Sequence, residues 1–89
     1  MPRFFFHVID GWSAPDLEGT ELEDIYTAQA EAIRTAGELL SQMGARFWNG
    51  TEWKVVVTNW ERQVLFVLRF SAEEGPGLGS IEPSYLPQA

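Results

Sequence analysis

Cysteine is absent from the 89 residues and histidine occurs once. Without thiols there is no disulfide framework, no thiolate nucleophile and no cysteine-based zinc site, a composition compatible with a reducing cytoplasm. Cations are scarce as well: six Lys and Arg stand against 13 Asp and Glu, for a formal net charge of −7. Such a chain repels phosphate backbones, because duplex affinity is drawn from cations that release counterions, so no nucleic-acid partner is expected. Long apolar runs are also missing. The apolar opening from Phe4 to Ile9 ends at Asp10, and nothing approaches a signal-peptide core or the roughly 20 apolar residues that cross a bilayer. The expectation is a soluble, cytoplasmic protein without a membrane partner.

What the chain does have is aromatic and periodic. The run Phe4-Phe5-Phe6-His7-Val8-Ile9 predicts a strand apolar on both faces, with Phe4, Phe6 and Val8 on one side and Phe5, His7 and Ile9 on the other. A polar, acidic connection covers residues 10 to 24, punctuated by Pro15, with a short edge strand expected from Thr20 to Leu22. From Ile25 to about Gly44 the period becomes helical. Ile25, Ala28, Ala32, Ile33, Ala36, Leu39, Leu40 and Met43 fall on one face, while Glu31, Arg34, Thr35, Glu38 and Gln42 fall on the other. Asp24 suits the N-cap and Gly44 the stop.

Two more strands follow, Trp53 to Thr58 and Val64 to Phe70, joined through Asn59-Trp60-Glu61-Arg62 as a hairpin, with a turn at Asn49-Gly50 before them. Residues 1–70 then read as one α+β domain, and the Gly- and Pro-rich residues 71–89 as a C-terminal tail that is disordered or docked through Ile81, Tyr85 and Leu86.

Catalytic patterns are weak. A lone histidine inside an apolar strand is far more often a packed or hydrogen-bonded residue than a catalyst. None of Ser13, Ser41, Ser71, Ser80 or Ser84 sits in a nucleophile-elbow setting. The acidic residues Asp16, Glu18, Glu21, Glu23 and Asp24 lack calcium-loop spacing and read as a solvated connection that complements the helix N-terminus. Gly75, Gly77 and Gly79 are interrupted by Pro76 and precede no helix that could hold a phosphate. No catalytic, cofactor-binding or metal-ligating residue is assigned. Of the four tryptophans, Trp53 belongs to a strand, whereas Trp12, Trp48 and Trp60 fall in connections, where a ring caps the core edge or makes a contact surface. Trp60, at the hairpin tip, is the one placed in a partner interface.

The opening Met-Pro-Arg-aromatic-Phe-Phe-His with Asp10-Gly11, the stretch Asp16-Leu17-Glu18-Gly19-Thr20-Glu21-Leu22, the helix residues Ala28, Ala30, Glu31, Ala32, Glu38, Leu39 and Leu40, and the ending Leu65-Phe66, Leu68 and Phe70 resemble a family of short bacterial proteins of unknown function. The resemblance spans about residues 1 to 70 and implies a bacterial, stand-alone small domain without supplying any site residue. In that family the last hairpin often carries acidic residues and a glycine in its turn, where this chain has Asn59 to Arg62. The order of elements is also similar, more distantly, to HicB-type antitoxin domains.

The architecture expected is a small antiparallel sheet of three or four strands with one amphipathic helix on one face. Its core would be Phe4, Phe6, Val8, Val55, Val57, Phe66 and Leu68 against Ile25, Ala32, Ala36, Leu39 and Met43. One helix covers one face only. The other face presents an interaction surface of Phe5, Ile9, Val56, Trp60, Leu65 and Val67, with a homodimer preferred over tail docking as its cover. The functional expectation is a non-enzymatic protein-interaction or regulatory module; the alternative is a small-ligand or metal-dependent activity.

Overall fold

The computed structural model describes residues 1–10, 13–49, 52–73 and 75. Strand β1 (Arg3–Ile9) occupies the opening apolar run and pairs along one edge with β4 (Trp53–Thr58), which in turn pairs with β5 (Val64–Phe70). The other edge of β1 takes two short strands in succession, β2 (Ser13–Ala14) and β3 (Thr20–Glu21). All pairings are antiparallel, in the path β2-β1-β4-β5 with β3 beside β1. The expected edge strand at Thr20 is present, and Ser13–Ala14 adds a second piece that the polar connection gave no reason to anticipate.

Helix α1 (Ile25–Met43) starts at Asp24, whose carboxylate accepts from the Thr27 amide at 2.8 Å and the Thr27 hydroxyl at 2.9 Å. Those two bonds hold the Asp24 carboxyl below the usual carboxylate range. The helix ends at Gly44, where a φ of 56° suits glycine and the cap amide donates back to the Leu40 carbonyl. A 3-10 turn, Gly44–Asn49, then carries Phe47 back onto Phe70 with ring centroids 5.9 Å apart. Gly50, with the expected turn there, lies outside the described residues, as do Trp12 and most of the tail.

Register decides what each face holds, because residues paired across an antiparallel ladder point to the same side. Phe6 pairs with Val57 and Val57 with Phe66; Val8 pairs with Val55 and Val55 with Leu68. These rows face the helix, as the alternation predicts. The buried cluster is Phe4, Val55 and Val57 against Ala28, Ala32 and Ala36, with Phe6, Leu22, Leu65, Phe66, Leu68 and Phe70 packed around it. Alanines at i, i+4 and i+8 let the helix backbone approach the sheet closely, so the larger residues flanking them stay at the rim. Ile25, Leu39 and Met43, expected in the core, are therefore only half-buried, and Ile33 is 64% exposed.

A β-bulge breaks the alternation in β5. Val57 pairs with Phe66 but Thr58 pairs with Val64, leaving Leu65 as the extra residue. Val64 accordingly shares the open face with Phe5 and Thr58, while Leu65 packs against the helix-side cluster. A strict period of two cannot show a slip of this kind, since it reassigns every side chain on one side of it.

Candidate functional site

The hairpin between β4 and β5 is organised by Asn59. Its Oδ1 accepts from the amides of Glu61 at 2.9 Å and Gln63 at 3.0 Å, its amide group donates to Gln63 Oε1 at 2.8 Å, and its carbonyl accepts from the Arg62 amide at 3.1 Å. The chain closes by placing Arg62 at φ 66°, a left-handed conformation that glycine adopts freely and arginine does not. Trp60 projects from the turn, 74% exposed, with its ring centroid 5.6 Å from that of Phe5.

Across the sheet, the connection before the helix is gathered onto β1 by one carboxylate. Asp16 Oδ1 accepts from the amides of Glu18 at 3.1 Å and Gly19 at 3.0 Å, and Oδ2 accepts from the Phe6 amide at 3.1 Å. The side chain thus stands in for a strand partner in the gap between β2 and β3. Burial alone would raise the Asp16 carboxyl, but the bonds from Gly19, Phe6 and Glu18 outweigh it and hold the group below its ordinary value. Gly19 has φ 73°, and a Cβ there would meet Arg3 Cγ and Phe5 Cε2 at 2.8 Å. That contact seals Phe5 beneath the loop. Arg3 fastens the same segment, donating to the Glu18 carbonyl at 2.6 Å and reaching Glu21 at 3.4 Å.

His7 lies between these two pieces. Its Nδ1 accepts from the Asp16 amide at 3.0 Å, which leaves Nε2 as the protonated nitrogen, 2.9 Å from Thr58 Oγ1. His7 is thus hydrogen-bonded through both ring nitrogens. Thr58 is 7% exposed, so its hydroxyl accepts from the imidazole and keeps its own proton for another acceptor.

Loop and hairpin together enclose an open cleft of about 540 Å³ against β1, lined by Phe5, His7, Pro15, Asp16, Leu17, Thr58, Asn59, Trp60 and Arg62. It lies on the face away from the helix. The surface expected there is divided by the structure. Phe5 is buried, Ile9 and Val56 are half-buried, Val67 is 40% exposed and Trp60 stands free at the tip. Leu65 is turned to the other side of the sheet and Val64 takes its place. Trp48, for which core capping was an expected role, is largely exposed; its neighbour Phe47 makes the ring contact instead.

Nothing in the sequence marks Asp16, Thr58, Asn59 and Arg62 as elements of one site. Asp followed by glycine three residues on is a signal for a side-chain-bonded turn, but the meeting of that turn with a hairpin more than 40 residues away leaves no local trace. Among the described residues no three metal-ligating side chains converge, and no helix is long and apolar enough to cross a membrane.

One helix over an antiparallel sheet, with an Asp-anchored loop and an Asn-anchored hairpin bounding a cleft on the bare face, defines a small α+β domain. The family model for a domain of unknown function, DUF6894, matches residues 3–71, and the chain belongs to that family. No curated protein and no solved structure matches it.

Proposed function

We propose that this protein is a non-enzymatic association module of the cytoplasm, and that the open sheet face is covered by a second copy of the chain. The observation carrying this reading is how the face is divided between polar and apolar groups. Both oxygens of Asp16 are engaged by main-chain amides and the nitrogens of His7 by the Asp16 amide and the Thr58 hydroxyl, whereas Val64, Val67 and Trp60 are left exposed beside the half-buried Val56. An imidazole held between a main-chain amide and a buried threonine is a structural bracket, badly placed to shuttle protons.

The apolar residues are contiguous across the ladder. Val56 pairs with Val67 and Thr58 with Val64, so one patch crosses β4 and β5. Covering a few hundred Å² of it is worth several kcal/mol at about 25 cal/mol/Å², before the cost of association is subtracted. A two-fold axis brings the same patch of a second copy onto it, as in the commonest soluble oligomers.

Light scattering on the full chain and on a chain ending at Ala72 tests the reading. A dimer in both supports it. A full-length monomer that associates only after truncation identifies the tail as the cover and refutes the dimer.

A further inference from the structure

Beyond the association surface, the geometry points to a second site: we infer that the cleft between the Asp16 loop and the β4–β5 hairpin binds a small aromatic carboxylate, its ring against Trp60 and Phe5 and its carboxylate on Arg62 and Thr58. Three independent features converge there.

The first is the donor balance. Thr58 is more than nine-tenths buried yet lines the cleft, and because it accepts from His7 its O–H proton remains to be donated. Asp16, the one carboxylate lining the cleft, has both oxygens engaged by main-chain amides. The second is Arg62. Among the described residues its guanidinium has no partner, in contrast to Arg3 and Arg34, which are ion-paired to Glu21 and to Glu31 and Glu38. Its backbone is held at φ 66° with a full side chain where glycine would sit without strain, and strain retained at a cleft is a pointer to use. The third is the apolar lining: Phe5, Pro15, Leu17 and Trp60, with the Phe5 and Trp60 rings 5.6 Å apart. Unpaired donors beside aromatic rings take an anion with a flat apolar body.

A free small molecule fits better than a peptide. Peptides that dock on sheets add a strand to an open edge, and at the cleft both edges of β1 are taken, by β4 on one side and by β2, the Asp16 carboxylate and β3 on the other.

Calorimetry and saturation-transfer NMR with 2-naphthoate, 2-naphthamide, inorganic phosphate and a short peptide ending in a free phenylalanine carboxylate test the assignment. Naphthoate is expected to bind saturably, with a dissociation constant of about 1 mM or tighter. Naphthamide and phosphate should each bind about tenfold more weakly, through loss of the charge or of the ring. Arg62→Gln, at an exposed position that leaves the fold in place, should weaken naphthoate about tenfold and naphthamide hardly at all, and Thr58→Val should weaken naphthoate similarly. The assignment is overturned by any of four results: no saturable naphthoate binding, equal affinity for acid and amide, an Arg62→Gln protein that binds as the parent does, or tighter binding of the peptide than of naphthoate.

Discussion

Replacing Asp16 by Ala removes a single half-buried loop carboxylate, yet its consequence should match that of a core mutation. Three amides lose their acceptor, those of Phe6, Glu18 and Gly19. A hydrogen bond to a charged group contributes about 1.5 to 3 kcal/mol where water cannot replace it. The Glu18 bond is exposed and water will substitute, whereas the Phe6 and Gly19 bonds are partly buried. The expected loss is about 2 to 4 kcal/mol, a large fraction of the 5 to 15 kcal/mol or so that a small domain possesses. Urea denaturation should show a lower midpoint at unchanged slope. Asp16→Asn should retain the Glu18 and Gly19 bonds through its one carbonyl oxygen but set an NH2 group against the Phe6 amide, and so fall between. Acid titration supplies an independent arm. The folded-state Asp16 carboxyl lies below its unfolded value, so its stabilisation is complete above the unfolded value of about 3.9 and is lost as pH falls through the lower folded one. The parent should therefore lose more stability than Asp16→Asn between about pH 5 and pH 2. An Asp16→Ala protein within about 0.5 kcal/mol of the parent, the spread of ordinary surface substitutions, with parallel acid titrations, would refute the bracing role.

Gly19→Ala combines a left-handed backbone with a Cβ 2.8 Å from Arg3 and Phe5, and should cost about 2 to 4 kcal/mol in the same denaturation assay. Arg62→Gly should do the opposite, raising stability by up to about 1 kcal/mol by relieving the left-handed arginine; a lower melting temperature would contradict the strain. Ala32→Leu, at a residue 1% exposed on the helix stripe, should cost about 1 to 3 kcal/mol by prising the helix from the sheet. Leu39→Ala should cost only about 1 to 2 kcal/mol, because Leu39 is half-buried and lies at the rim of the alanine contact.

The main elements were legible from the sequence because each rests on a local period. Arg3 to Ile9, Ile25 to Met43, Trp53 to Thr58 and Val64 to Phe70 all read directly from alternation or helical spacing, and Asp24 and Gly44 mark the helix ends with side-chain chemistry that needs no tertiary context. Helix burial was less legible. Periodicity places Ile33 on the same face as Ala28, Ala32 and Ala36, but the narrow alanine stripe makes the contact and leaves Ile33 outside it. The bulge at Leu65 was invisible for a related reason: an extra residue leaves the apolar composition of β5 intact while changing which way its first residues point. The candidate site was the least legible part. His7 and Trp60 stand out in the sequence, but the bonds that join His7 to Asp16 and Thr58, and the turn that sets Arg62 beside them, exist only once β1 has paired with β4.

The patch of Val56, Val64 and Val67, proposed above as the interface between two copies of this chain, is open to direct test. Sedimentation equilibrium on the parent and on Val67→Glu is the decisive measurement, since Val67 is 40% exposed on the open face. The expected result is a dimer for the parent and a folded monomer for Val67→Glu. A parent that is monomeric, or a Val67→Glu protein that remains as dimeric as the parent, would contradict it.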